Sequence, residues 1–91
     1  MAKASKPKIY YRSYTEATQD VYDYVSQKYI INMDDWFSQV NVGGKPRQGQ
    51  TKRAIGIGLY SRKTMRPVTA TLNIQVYRMS SDRFELNFYV S

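Results

Sequence analysis

Residues 68–77, VTATLNIQVY, decide the fold. Val68, Ala70, Leu72, Ile74 and Val76 alternate with Thr69, Thr71, Asn73, Gln75 and Tyr77. That period of two turns one side of a strand to a core and the other to water. The segment that follows, 84–90, repeats it: Phe84, Leu86, Phe88 and Val90 point inward and Glu85, Asn87 and Tyr89 outward. The segment before it, 53–60, sets Ile55, Ile57 and Leu59 against Ala54, Gly56, Gly58 and Tyr60. Three such segments with short polar connections predict a C-terminal three-stranded antiparallel meander.

Register follows from the faces, because a slip by one residue would put a whole apolar set in water. Val76 opposite Phe84 leaves Met79, Ser80 and Ser81 as the turn, with Arg78 and Asp82 facing each other as an ion pair. Leu59 opposite Val68 makes 61–66 the other loop, with Pro67 at a strand start, where its missing amide does least harm.

Upstream, residues 8–14 (KIYYRSY) have the alternating, aromatic look of a short strand. Ser13 and Glu16 have the spacing of a capping box, and a helix is expected over 15–29 with Ala17, Val21, Tyr24, Val25 and Tyr29 as its buried stripe. Asn32 caps a shorter helix from 33 to about 40, with Trp36, Phe37 and Val40 inward. Residues 43–53, GGKPRQGQTKR, read as a mobile basic loop, and 1–7 as a flexible basic tail. The expected architecture is α+β, in the order β-α-α-β-β-β, with the two helices covering one face of the meander and a single domain over 8–91.

The chain has 91 residues, a net charge of +7, no cysteine and no histidine. No disulfide can staple it, and both the commonest general base and the commonest metal ligand are missing. The acids are too scattered to hold a metal through carboxylates alone, so neither metal nor cofactor is expected. No apolar run approaches the ~18 residues that span a bilayer, and the N-terminal MAKASKPK lacks the apolar stretch of a signal peptide. A cytoplasmic protein without a membrane partner is expected.

Charge is distributed unevenly. From Trp36 to Ser81 there are eight cations (Lys45, Arg47, Lys52, Arg53, Arg62, Lys63, Arg66, Arg78) and no acid. Clusters of this kind are rewarded by an anionic partner. Threaded through the meander, Lys45, Arg47, Lys52, Arg53, Arg78 and Arg83 gather at one sheet end and Arg62, Lys63 and Arg66 at the other, a strand length of roughly 23–27 Å away. Tyr60, Tyr77 and Tyr89 stand on the uncovered face between them. Tyrosines stack on unpaired bases while flanking cations hold phosphates. The expected function is therefore nucleic-acid binding, to single-stranded DNA or RNA in preference to duplex, since no helix carries the basic charge. Gly56 and Gly58 either clear that face for a ligand or mark a bulge or a crossing helix.

Two further readings fit. The element order, small size and basic sheet edges resemble those of the bacterial ribosome-dependent RNA-cutting toxins. That resemblance implies a ribonuclease working through Arg53, Arg62, Arg78 and Tyr89. Alternatively, Tyr- and Arg-rich faces are what protein interfaces use, as in a phage or plasmid factor acting on a host protein. Its self-associating form is a homodimer through an uncovered strand edge.

Overall fold

The computed structural model describes residues 6–91, so most of the expected tail lies outside the described residues. The chain runs β1 (Tyr10–Tyr11), α1 (Tyr14–Ser26), β2 (Tyr29–Ile31), α2 (Met33–Trp36) continued by a π-helical turn (Phe37–Asn41), β3 (Thr51–Ser61), β4 (Pro67–Ser80) and β5 (Arg83–Val90). This is the expected α+β order with one strand added. All pairings are antiparallel, in the order β1-β5-β4-β3-β2.

Ser13 caps α1 as its spacing requires, its hydroxyl accepting the Glu16 N–H at 3.1 Å. Tyr14, Ala17, Thr18, Val21 and Val25 form the buried stripe. The helix stops at Ser26 instead of reaching Tyr29. Tyr29, Ile30 and Ile31 leave it to pair with Ser61, Tyr60 and Leu59, an aromatic and two β-branched residues that suit a pleated edge better than a helix turn. Asn32 then caps α2 by accepting the Asp35 N–H at 3.1 Å.

Trp36 and Val40 enter the core as expected, Trp36 meeting Tyr22 edge-on at 5.1 Å. Phe37 does not: it is 60% exposed. The π-helical turn that begins there is closed by the Val42 N–H on the Phe37 carbonyl. The Tyr14 hydroxyl donates to the Val40 carbonyl at 2.7 Å, pairing a polar atom that would otherwise be buried alone. Ile57, Leu59, Leu72, Val76, Phe84 and Val21 complete the centre of the core.

Three irregularities correct the expected pairing, two between β3 and β4 (Ala54 to Ile57, and Gly58 to Tyr60) and one between β4 and β5. In β3, Ala54 faces Ile74 and Ile57 faces Leu72, so Ile55 and Gly56 together oppose Asn73. Gly56 takes the left-handed conformation (φ 73°), and Ile55 turns out to solvent while Ala54 turns in. In β4 an irregularity at Met79 leaves Ser81 and Asp82 as the turn. Val76 pairs with Leu86 and Arg78 with Phe84, a shift of two residues from the expected match that keeps every face. The Arg78–Asp82 ion pair therefore does not form; Asp82 accepts from the Ser80 hydroxyl instead.

The glycine-rich segment is shorter than 43–53, because β3 already begins at Thr51. It is also fastened: Gly49 N–H donates to Arg78 O at 2.7 Å, Arg78 N–H to Gln50 O at 3.0 Å, and Pro46 is buried. Gly58 lies under the start of α2, where an added Cβ would meet Asp35 Oδ2 at 3.1 Å. Both strand glycines thus serve the fold, one a bulge and the other a close crossing.

Candidate nucleic-acid interface

Rows of residues cross the uncovered face of the sheet. At the end where β3 begins, Thr51, Tyr77, Glu85 and Tyr10 lie side by side on four strands. The next row is Arg53, Gln75 and Asn87, and beyond it Asn73 pairs with Tyr89. Each of these alternates with a neighbour in the core, so their side chains share the outer face. Tyr10, Tyr77 and Tyr89 are 43%, 37% and 52% exposed. The Arg83 guanidinium lies 4.4 Å over the Tyr10 ring, a cation–π contact that fixes both at the edge of this face.

Asn73 belongs to the same face but is not free. It is buried; its Oδ1 accepts the Gly56 N–H at 3.0 Å, and its Nδ2 reaches the Thr71 carbonyl at 3.3 Å. It locks the β3 bulge and has no group to spare for a ligand.

The twelve residues singled out from the sequence divide into four groups. Arg53, Tyr77, Arg83 and Tyr89 share the open face, with exposed Lys45 and Arg47 in the loop at the same sheet end. Lys63 and Arg66 are exposed at the far end, beside Arg62, whose Nε donates to the Ser26 carbonyl at the C-terminus of α1. Tyr60 stands at the β2–β3 edge, its hydroxyl receiving the Asn32 side-chain amide at 3.3 Å.

The remaining two turn inward. Lys52 faces Val76 on the covered side, donates to the Val42 and Gly44 carbonyls at 2.7 Å each, and lies 5.5 Å from the Tyr14 ring centre. Burial lowers its pKa from the ordinary lysine value. Arg78 donates to the Ser80, Pro46 and Ser81 carbonyls and covers the Phe84 ring at 5.3 Å. These cations tie loop to sheet and offer little to a phosphate. The four residues implied by the toxin resemblance are likewise dispersed: Arg53 and Tyr89 on the open face, Arg78 on the covered face and Arg62 at the far end.

Tyr10 and Glu85 are the additions to the site. Alternation through KIYYRSY marks Tyr10 as opposite in direction to buried Tyr11, but only the pairing of β1 with β5 sets it beside Glu85. Lys8 and Arg12 accompany it, lining with Tyr10 and Arg83 a recess of about 510 Å³ at this edge.

The sheet edges are mostly occupied. β1 lies along Phe84 and Glu85, β2 along Leu59 to Ser61, and the Asp35 carboxylate accepts the Gly58 N–H at 2.8 Å. Among the described residues no group of His, Cys, Asp and Glu could hold a metal ion, and no helix is long and apolar enough to cross a membrane. No family model, curated protein or solved structure matches the chain.

Proposed function

We propose that the protein binds single-stranded nucleic acid across the open face of its sheet. The observation that carries this reading is the gathering of three exposed tyrosines, Tyr10, Tyr77 and Tyr89, with Arg53 and Arg83 on one face. Arg47 is exposed in the loop at one end and Lys63 and Arg66 at the other, while Lys45 lines a recess with Tyr14 and Trp36 on the covered side. Rings standing on a flat sheet can stack on unpaired bases, each worth ~1–3 kcal/mol. The row of Tyr77 and the row of Tyr89 are four β5 residues apart, about 13 Å, a span that an extended strand can cross. Duplex is the poorer ligand, since α1 carries Glu16, Asp20 and Asp23 and no basic stripe. We place the protein in the cytoplasm, where its proposed ligand is found.

Titration of labelled single- and double-stranded 12-mers at two salt concentrations tests this. With four to six phosphates contacted, log K for the single strand falls against log salt with a slope of roughly −3 to −4. Tyr89→Ala weakens single-strand affinity by about 5-fold or more. Absence of single-strand binding at low salt refutes the proposal.

One observation favours a protein partner instead: Phe37, Met33 and Val42 are exposed on or just after the α2 segment, away from the basic face. Oligonucleotide affinity that is absent or unaffected by Arg53→Ala and Arg83→Ala shifts the weight to that reading.

A further inference from the structure

An acid in the middle of a surface built for phosphates asks for a reason. Glu85 is flanked on the open face by Tyr77 from β4 and Tyr10 from β1. Arg83 precedes it on the same strand and Arg53 stands one row along. Yet among the described residues its carboxylate has neither a hydrogen-bond nor an ion-pair partner. Simple repulsion of phosphate would make Glu85 a defect in the interface. A carboxylate that accepts hydrogen bonds from a base makes it a reader.

The chemistry narrows the base. An ionised carboxylate only accepts, through two oxygens side by side. Guanine presents two adjacent donors, N1–H and the N2 amino group, in matching geometry. Adenine and cytosine each offer an amino group beside a ring nitrogen that is itself an acceptor. Thymine and uracil present one N–H between two carbonyl oxygens, which a carboxylate repels. The setting suits a flat group. Tyr10 and Tyr77 flank Glu85 from the strands on either side, so their Cα atoms are about 10 Å apart. A base lowered edge-first onto Glu85 meets the Tyr77 ring on one side. On the other it meets Tyr10, which carries the Arg83 guanidinium on its ring. Guanidinium planes and tyrosine rings both stack on bases.

We infer that Glu85, seated between Tyr10 and Tyr77, makes the open face select guanine in a single strand. This rests on the single-strand reading above and adds a specificity to it. Neighbouring nucleotides then run over Gln75 and Asn87 toward Tyr89, with Arg53 beside their phosphates.

The test compares a 12-mer of thymidine with the same oligomer carrying one central guanosine, and with one carrying hypoxanthine, which lacks the N2 amino group. The guanosine oligomer should bind roughly 5- to 150-fold tighter than the all-thymidine one, the range of a good bidentate contact. Hypoxanthine should lose most of that gain. Glu85→Gln, checked for folding by its melting curve, should abolish the guanine preference, read as the ratio of guanosine-oligomer to thymidine-oligomer affinity in the same variant. Equal affinity for guanosine and thymidine oligomers overturns the inference and leaves the single-strand proposal standing. Full retention of the gain by hypoxanthine, or of the preference by a folded Glu85→Gln, also overturns it. If no oligomer binds, the proposed function itself fails. The wild-type comparison holds even if the variant does not fold.

Discussion

The side-chain amide of Gln39 pairs with the backbone of Ile55 in both directions, Nε2 donating to the carbonyl and Oε1 accepting the N–H, each at 2.8 Å. One side chain thus imitates one residue of a neighbouring strand. It does so at the bulge, where β3 has no backbone partner on its outer side, and Asp35 performs the same service at Gly58. Unsatisfied strand edges invite pairing with other chains. Gln39→Ala should cost about 1–2 kcal/mol for two partly solvated hydrogen bonds. It should also raise the tendency to self-associate, read by denaturant melts and by sedimentation at rising concentration.

The bulge depends on Gly56 and Asn73 in separable ways. Gly56→Ala has room for its Cβ, since nothing lies within 4 Å, but must hold a left-handed backbone. That strain costs about 1–2 kcal/mol. Asn73→Ala leaves the Gly56 N–H without its acceptor, at about 1–3 kcal/mol. Because both act on one bulge, the double variant should lose less than the sum, a non-additivity that a double-mutant cycle measures.

Arg78 and Arg53 should separate stability from binding. Arg78→Ala removes three bonds to carbonyls and the cover over Phe84, and should cost about 2 kcal/mol or more in a urea melt. Arg53, exposed on the open face, should change stability by no more than about 0.5 kcal/mol when replaced by Ala. In oligonucleotide binding, Arg53→Ala should reduce affinity and flatten the salt slope by about 0.7 for a single phosphate contact. A folded Arg78 variant that retains the wild-type slope completes the contrast.

Alkaline pH should unfold the protein through two tyrosines. Burial, reinforced by the hydrogen bond to Asp20, pushes Tyr11 up to about 12, and burial alone pushes Tyr14 up to about 12. The folded chain therefore keeps protons that the unfolded chain gives up near pH 10. Their contribution is whole below pH 10 and is lost as pH rises toward 12. Lys52 acts with the opposite sign: its lowered pKa makes its contribution grow as pH climbs toward 10.5. Urea midpoints should fall between pH 10 and 12, and Tyr11→Phe should shallow that fall.

Much of this architecture was legible because alternation is a strong constraint. It assigned the faces of β4 and β5, and Ser13 and Asn32 announced their helices. A two-residue slip between β4 and β5 was invisible, since Val76 opposite Phe84 and Val76 opposite Leu86 keep the same faces. The bulge at Ile55 and Gly56 was the costlier omission. It reverses the sides of the preceding residues, so Lys52 turns in and Arg53 turns out. Arg78 was readable: it continues the even-numbered series from Val68 to Val76 and belongs on the covered face. β2 was hidden because Tyr29 also fits the helical repeat of Val21 and Val25, and only pairing with β3 decides between them.

The Tyr10–Glu85 pairing joins residues 75 positions apart, and this sets when the proposed interface could exist. The β3–β4–β5 meander is made of hairpins, whose contacts are close in sequence and quick to form. β1 reaches β5 only after a loop of almost the whole chain has closed, the slowest kind of encounter. Glu85 and Tyr77 are thus expected in place first, with Tyr10 joining at the final closure. A partly folded chain, or one nicked before Tyr10, would carry the charge without the completed slot. Base selectivity would then report that folding has finished, whereas attraction to phosphate would not.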